Sequence, residues 1–170
     1  MFEASQSRID TELNRWFGAT RPTRWVTRER PKIDRIACPW LIRRFVDPQA
    51  VILYAPTERV FDVAMSEHAV AFDIPGAPFT HDGDDCSFDA FIKGFDLYHP
   101  ALDTLALIVR GADTDVHELA PEAAGLHAVS LGLNLNIADD QQLLTQGLIV
   151  YDALYAWASR AQGERHDWKP

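Results

Sequence analysis

Between positions 73 and 86 the chain gathers Asp73, His81, Asp82, Asp84, Asp85 and Cys86. Gly83 permits a tight loop that brings His81 and Cys86 together, and an imidazole with a thiolate is a donor pair suited to zinc, iron or manganese. Two ligands do not complete a site. Cys38 and Asp73 are the candidates for the remaining positions, because strand ends and helix starts of a parallel sheet converge at one edge. A structural loop around a half-buried Cys86 is the competing reading. The acidic run does not fit calcium, since it lacks the twelve-position loop closed by a glutamate.

A second group, Arg28, Arg30, Lys32, Asp34, Arg35, Cys38, Arg43 and Arg44, concentrates positive charge in an otherwise acidic chain. If Asp34 caps a helix, the loop before it sets Lys32 and Arg35 beside unpaired backbone N–H groups, an arrangement suited to an oxyanion. Cys38 falls in the first turns of that helix, where the dipole and nearby arginines can lower a thiol pKa. Its apolar neighbours Ala37, Trp40 and Leu41 equally suit a packed thiol. A third group, Arg110-Gly-Ala-Asp113-Thr-Asp115 followed by His117 and Glu118, supplies a guanidinium that can complete the oxyanion site. Its Asp113 is the candidate for proton transfer, and Asp113 or Asp115 can instead brace Arg35 or a metal. Ordinary helix capping and loop hydrogen bonding account for the same residues. His68, His99, His117, His127 and His166 receive no assignment.

The elements that must position these groups follow from pattern. Residues 3–17 present Ile9, Leu13 and Trp16 or Phe17 on one helical side before Gly18. Trp25–Thr27 reads as a strand, Arg30–Lys32 as a turn, and Asp34 to Phe45 as a helix stopped by Asp47-Pro48. Ala50–Tyr54 is a buried strand, residues 57–67 an amphipathic helix and Ala69–Phe72 another strand. The fold expected is α/β or α+β, a small, largely parallel sheet with crossover helices, followed by a helical C-terminal third. From Asp73 to Cys86 at most one short strand is expected, around Phe79. Ser87 then caps a helix from Phe88 to Lys93 that ends at Gly94. Pro100 opens one reaching about Arg110, and Pro121 opens another. Asp139 or Asp140 starts the last, with Leu144, Leu148, Tyr151 and Tyr155 as its core stripe. The organisation expected is a lead-in over 1–23, one domain over 24–160 and a polar tail over 161–170.

The 170 residues, 47% hydrophobic and 24% charged, suit one globular domain. A formal charge of −9 disfavours broad attraction to nucleic acid or an anionic membrane, so direct nucleic-acid binding is not expected. No apolar run approaches the roughly 20 residues of a spanning helix. The N-terminus lacks a basic region followed by an apolar core, which makes the expected location cytoplasmic. Two cysteines give no disulfide framework and are read as thiols. The P-loop, the dinucleotide glycine pattern, His-Glu-x-x-His and the Gly-x-Ser-x-Gly elbow are all absent.

Four stretches, Trp25-Val-Thr-Arg28, Arg30-Pro-Lys-Ile-Asp-Arg-Ile-Ala-Cys-Pro-Trp-Leu-Ile-Arg-Arg-Phe-Val-Asp-Pro48, His81-Asp-Gly-Asp-Asp-Cys-Ser-Phe88 and Ile108-Val-Arg-Gly-Ala-Asp-Thr-Asp115, resemble the conserved domain of the ChrB family of chromate resistance proteins. The similarity runs over roughly residues 24 to 160. It implies a role in chromate resistance or chromate-responsive regulation, and a stress-response setting. Where the family has Cys-Thr-Phe-Glu this chain has Cys86-Ser-Phe-Asp89. The reading preferred from sequence is a domain that binds a metal ion or an oxyanion such as chromate in a sensing role. The oxyanion would lie on Lys32, Arg35 and Arg110, and the metal on His81, Cys86, Cys38 and Asp73. A metal-dependent enzyme using a His/Cys/Asp centre, and a regulatory protein-interaction module, are the alternatives.

Overall fold

The structure, a computed structural model, describes residues 2–165. After a first helix, α1 (Phe2–Phe17), the chain forms β1 (Arg24–Arg28), α2 (Asp34–Leu41) continued by a π turn over Ile42–Val46, and β2 (Val51–Ala55). A 3₁₀ turn (Thr57–Arg59) leads into α3 (Val60–Ser66) and β3 (Val70–Ala71). The rest is helical: α4 (Ser87–Phe95), α5 (Pro100–Asp113), a 3₁₀ turn (His117–Leu119), α6 (Ala123–Asn136) and α7 (Asp140–Arg160). The three strands make a parallel sheet in the order β2-β1-β3, with Val26 opposite Leu53 on one side and Ala71 on the other. This is the small parallel sheet with crossover helices and helical C-terminal region that the pattern predicts. The expected tail lies partly beyond the described residues.

Alternation along β1 divides the core. Trp25 points into the large cluster built by α1, α2, α4, α5 and α7, whereas Val26 points into a small one with Ala55, Val60, Ala71, Ile74 and Ala77 beneath α3. Trp25 is completely buried and makes edge contacts with Phe17, Phe79 and Phe91 at centroid distances of 5.1, 5.8 and 5.4 Å. Its indole N–H donates to Thr23 Oγ1 at 2.8 Å, and that hydroxyl donates to Asp47 Oδ2 at 2.8 Å, so no polar atom of the chain of contacts is left bare.

Pro39 shapes the crossover. Lacking an N–H, it leaves the carbonyl of Arg35 without its helical partner, and the Tyr54 hydroxyl from β2 donates to that carbonyl at 2.8 Å. The proline thus docks α2 onto β2 rather than ending the helix.

Several boundaries differ from the pattern-based ones. Asp34 does not cap α2; it is the first helical residue, after Ile33, and its side chain caps another helix. Cys86, not Ser87, is the N-cap of α4, with Asp89 closing a capping box. The strand expected around Phe79 is a single bridge to Phe72. Gly94 does not end α4, which continues to Phe95 and stops at Asp96 with φ of 57°. A Cβ on Gly94 would stand 2.7 Å from Phe79 Cε1, so the glycine lets a helix lie on an aromatic ring.

Gly147 performs the same task where α7 crosses α2: a Cβ there would meet Ile36 Cγ2 at 2.6 Å. That methyl sits on a branched Cβ and cannot swing away. Gly147→Ala is expected to destabilise the domain by ~1–3 kcal/mol from overpacking, more than the ~1 kcal/mol gain in helix propensity returns. Urea denaturation of the two proteins would check the sign.

Candidate metal centre

The residue before α2 sets up the site. Ile33 has φ of 34°, an uncommon conformation for a β-branched residue, and its carbonyl accepts the Tyr151 hydroxyl at 3.1 Å. The turn delivers Asp34, completely buried, beneath the C-terminal edge of the sheet. Asp73 arrives from just past β3, His81 from the loop that follows, and Asp113 from the last turn of α5.

These four side chains converge. His81 Nε2 lies 3.0 Å from Asp113 Oδ2, 3.5 Å from Asp34 Oδ2 and 3.5 Å from Asp73 Oδ1. Asp34 Oδ2 also accepts the Ser87 N–H at 2.6 Å, at the start of α4, where the helix dipole favours negative charge. Asp34 Oδ1 is buried and has no hydrogen-bond partner. Asp73 is held by Ser87 Oγ, donating at 2.7 Å, and by Arg28 and Arg35 at 3.0 and 3.5 Å.

The carboxyls separate electrostatically. Burial, then the charges of Asp113 and Asp73, hold Asp34 well above the usual carboxylate range. Asp113 is raised for the same reasons, burial first and Asp73 next. Burial acts against ionisation of Asp73 too, but contacts with His81, Ser87, Arg28 and Arg35 outweigh it and pull its value down. His81 is pushed up to about 9, chiefly by its contact with Asp73, against the effect of burial and with help from Asp34 and Asp113. One imidazole therefore serves three carboxylates, two of which lack a cation of their own.

The two cysteines border this cluster without supplying ligand atoms to it. Cys86 donates its thiol to Asp89 Oδ2 at 3.3 Å, and Cys38 is buried in the large core cluster; burial pushes both thiols up, away from the thiolate. Among the described residues, two groups bring three possible ligand atoms within 4.8 Å of one another: Asp34, His81 and Asp113, and Asp115, His117 and His127. Neither contains a cysteine. Lys32 lines a small cavity between α2, α6 and α7 with Ile36, Leu133 and Tyr151. Arg35 donates to the carbonyl of Glu29 at 2.8 Å as well as facing Asp73. Arg110 grips Asp89 with two bonds, Nε to Oδ2 at 3.0 Å and Nη2 to Oδ1 at 2.6 Å. The three cationic candidates consequently point to three different places. Arg30 is structural: it donates to the carbonyls of Asn134, Ile137 and Ala138, closing the C-terminus of α6.

Asp34 and Asp89 are the residues whose tasks the pattern missed. Nothing near Asp34 in sequence signals that its carboxylate caps a helix 53 positions away. Asp89 was legible in principle, as the acidic residue three positions after the cap of α4.

Fold and site together define an acidic α/β domain with a nitrogen-and-oxygen ligand cluster beyond the C-terminal ends of its parallel strands. Residues 25–158 match the model of the ChrB C-terminal domain, and the chain belongs to that family. It is 37% identical over 132 residues to Protein ChrB of Cupriavidus metallidurans, covering 77% of this chain but only 39% of that protein's length. No solved structure matches it. Among the described residues no helix is long and apolar enough to cross a membrane.

Proposed function

We propose that this ChrB-family domain binds a divalent transition metal through Asp34, His81 and Asp113, with Asp73 as the adjoining fourth donor, and that metal binding underlies its role in chromate resistance. The observation that carries this reading is Asp34 Oδ1, a carboxylate oxygen buried without a partner between two further carboxylates. A buried unpaired carboxylate is costly, and a cation is what relieves it. One nitrogen and several oxygens favour manganese, iron(II) or zinc over softer ions. Asp73, braced by two arginines, is already ionised for the purpose.

Asp34, His81 and Asp113 would hold the metal, which would supply a Lewis-acidic charge for chromate or another small oxyanion, with Arg35 and Arg28 beside Asp73 at the rim. The separation of Lys32, Arg35 and Arg110 argues against a cradle made by those three alone. A sensing role would then run through His81, the one ligand carried on the loop after β3.

Elemental analysis of tag-free protein, purified without added metal or chelator and then reconstituted, tests the proposal. Metal is expected in the parent and in Cys38→Ala, and its loss is expected from this centre in His81→Ala and Asp113→Asn. An undiminished metal stoichiometry in both of the latter, with folding intact, would rule the centre out.

A further inference from the structure

Immediately after Asp113 the chain sets out a second group of donors that the centre above does not use. Asp115 stands in the turn that follows α5, His117 in the next 3₁₀ turn, and His127 on α6. His117 Nε2 lies 3.3 Å from Asp115 Oδ1 and 3.4 Å from His127 Nδ1, and the rings meet edge to face at a centroid distance of 5.1 Å. A tetrahedral zinc ion with bonds of ~2.0–2.1 Å keeps its ligand atoms ~3.3–3.4 Å apart. Both separations already have that length.

The arrangement is ill suited to two free histidines. His127 Nδ1 faces the Ala112 carbonyl at 3.2 Å as well as the nitrogen of His117 at 3.4 Å, so one nitrogen is shared between two partners. A metal bound by the two nitrogens replaces the contact between them, and Nδ1, then unprotonated, gives up its bond to the Ala112 carbonyl. His117 and Asp115 are open to solvent, so an ion can enter without unfolding.

We propose that Asp115, His117 and His127 form a second metal site, for a borderline divalent ion of the zinc class, with water completing a four-coordinate shell. Two imidazoles and one carboxylate with an open position are a donor set such ions accept. The site ties the end of α5 to the 3₁₀ turn and α6. Because Asp113 precedes Asp115 by two residues, filling it also fixes the turn that presents Asp113 to His81. The proposal stands on its own distances and not on the first centre.

The test is a titration of metal-stripped full chain with Zn²⁺ against a chromophoric chelator. The parent is expected to take two equivalents, His117→Ala and His127→Ala one each, and His81→Ala one. Asp115→Asn, at an exposed position, is expected to weaken the second equivalent at least tenfold. Zinc-edge absorption of the His81→Ala protein should show two imidazole ligands. Unchanged stoichiometry in folded His117→Ala and His127→Ala, or a spectrum without imidazole, would overturn the proposal. Loss of one equivalent in His127→Ala but none in His81→Ala would sustain this site and remove the first.

Discussion

Arg110→Ala is expected to lower the unfolding free energy by ~2–3 kcal/mol, the cost of taking the partner from a buried carboxyl when the guanidinium itself is partly exposed. Asp89 is buried, its side chain only 5% exposed, and three groups converge on it: the Cys86 N–H at 3.0 Å, the Cys86 thiol at 3.3 Å and the two-pronged Arg110. Without the guanidinium, the Asp89 carboxyl keeps only the Cys86 N–H and thiol as donors. The loss is large against the ~5–15 kcal/mol that holds a domain of this kind together. It also propagates, because Asp89 closes the N-terminus of α4, where the Ser87 N–H and hydroxyl hold Asp34 and Asp73. Urea denaturation would measure it. The double replacement Arg110→Met with Asp89→Leu should recover much of the stability, since burying apolar groups of similar size in place of an ion pair is often neutral or better. An Arg110→Ala protein as stable as the parent would mean that the pair contributes packing alone.

The same pair shows what sequence could and could not reveal. Strands and helices were legible because burial imprints a period on the chain: Trp25 and Val26 alternate across β1, and Leu144 and Tyr151 recur on the buried side of α7. His81 and Asp73 could be suspected as ligands from residue type, together with Cys38 and Cys86, and Asp113 as a group for proton transfer or for bracing a metal. The grouping of His81 with Asp34 could not, because that carboxylate acts at a distance, and a residue just before an apolar run reads as the cap of its own helix. Glycines misled for a related reason. Gly94 resembles a helix stop, and only the approach of Phe79 explains its presence inside α4. Arginines misled through charge. Grouped in sequence they suggest an anion site, yet Arg30 closes α6, Arg43 donates to the Ala50 carbonyl at 3.1 Å and Arg44 lies over Tyr155. Periodicity reports which side of an element is buried; it carries no information about which distant partner a charged group will meet.

Asp34→Asn should separate stability from metal binding. In the metal-free protein the carboxyl resists ionisation, because burial and its two carboxylate neighbours disfavour the charge. An amide keeps the oxygen that accepts the Ser87 N–H and puts a donor where Oδ1 has no partner. The variant is therefore expected to be more stable than metal-free parent at neutral pH, and at least tenfold weaker in metal affinity, a neutral amide being a poor substitute for a carboxylate. The pH dependence has a definite sign. With the folded value above the unfolded ~3.9, the folded state holds the proton longer, so Asp34 costs nothing below ~3.9 and costs progressively more as pH rises through its folded value. The stability difference between variant and parent should accordingly be small near pH 4 and grow toward neutrality, as read by urea denaturation of both proteins across that range in the presence of chelator. Excess metal should reverse the order, because binding stabilises only the protein that retains the charge. If Asp34→Asn is the less stable protein at neutral pH without metal, Asp34 carries its charge comfortably, and the unpartnered oxygen no longer argues for a cation.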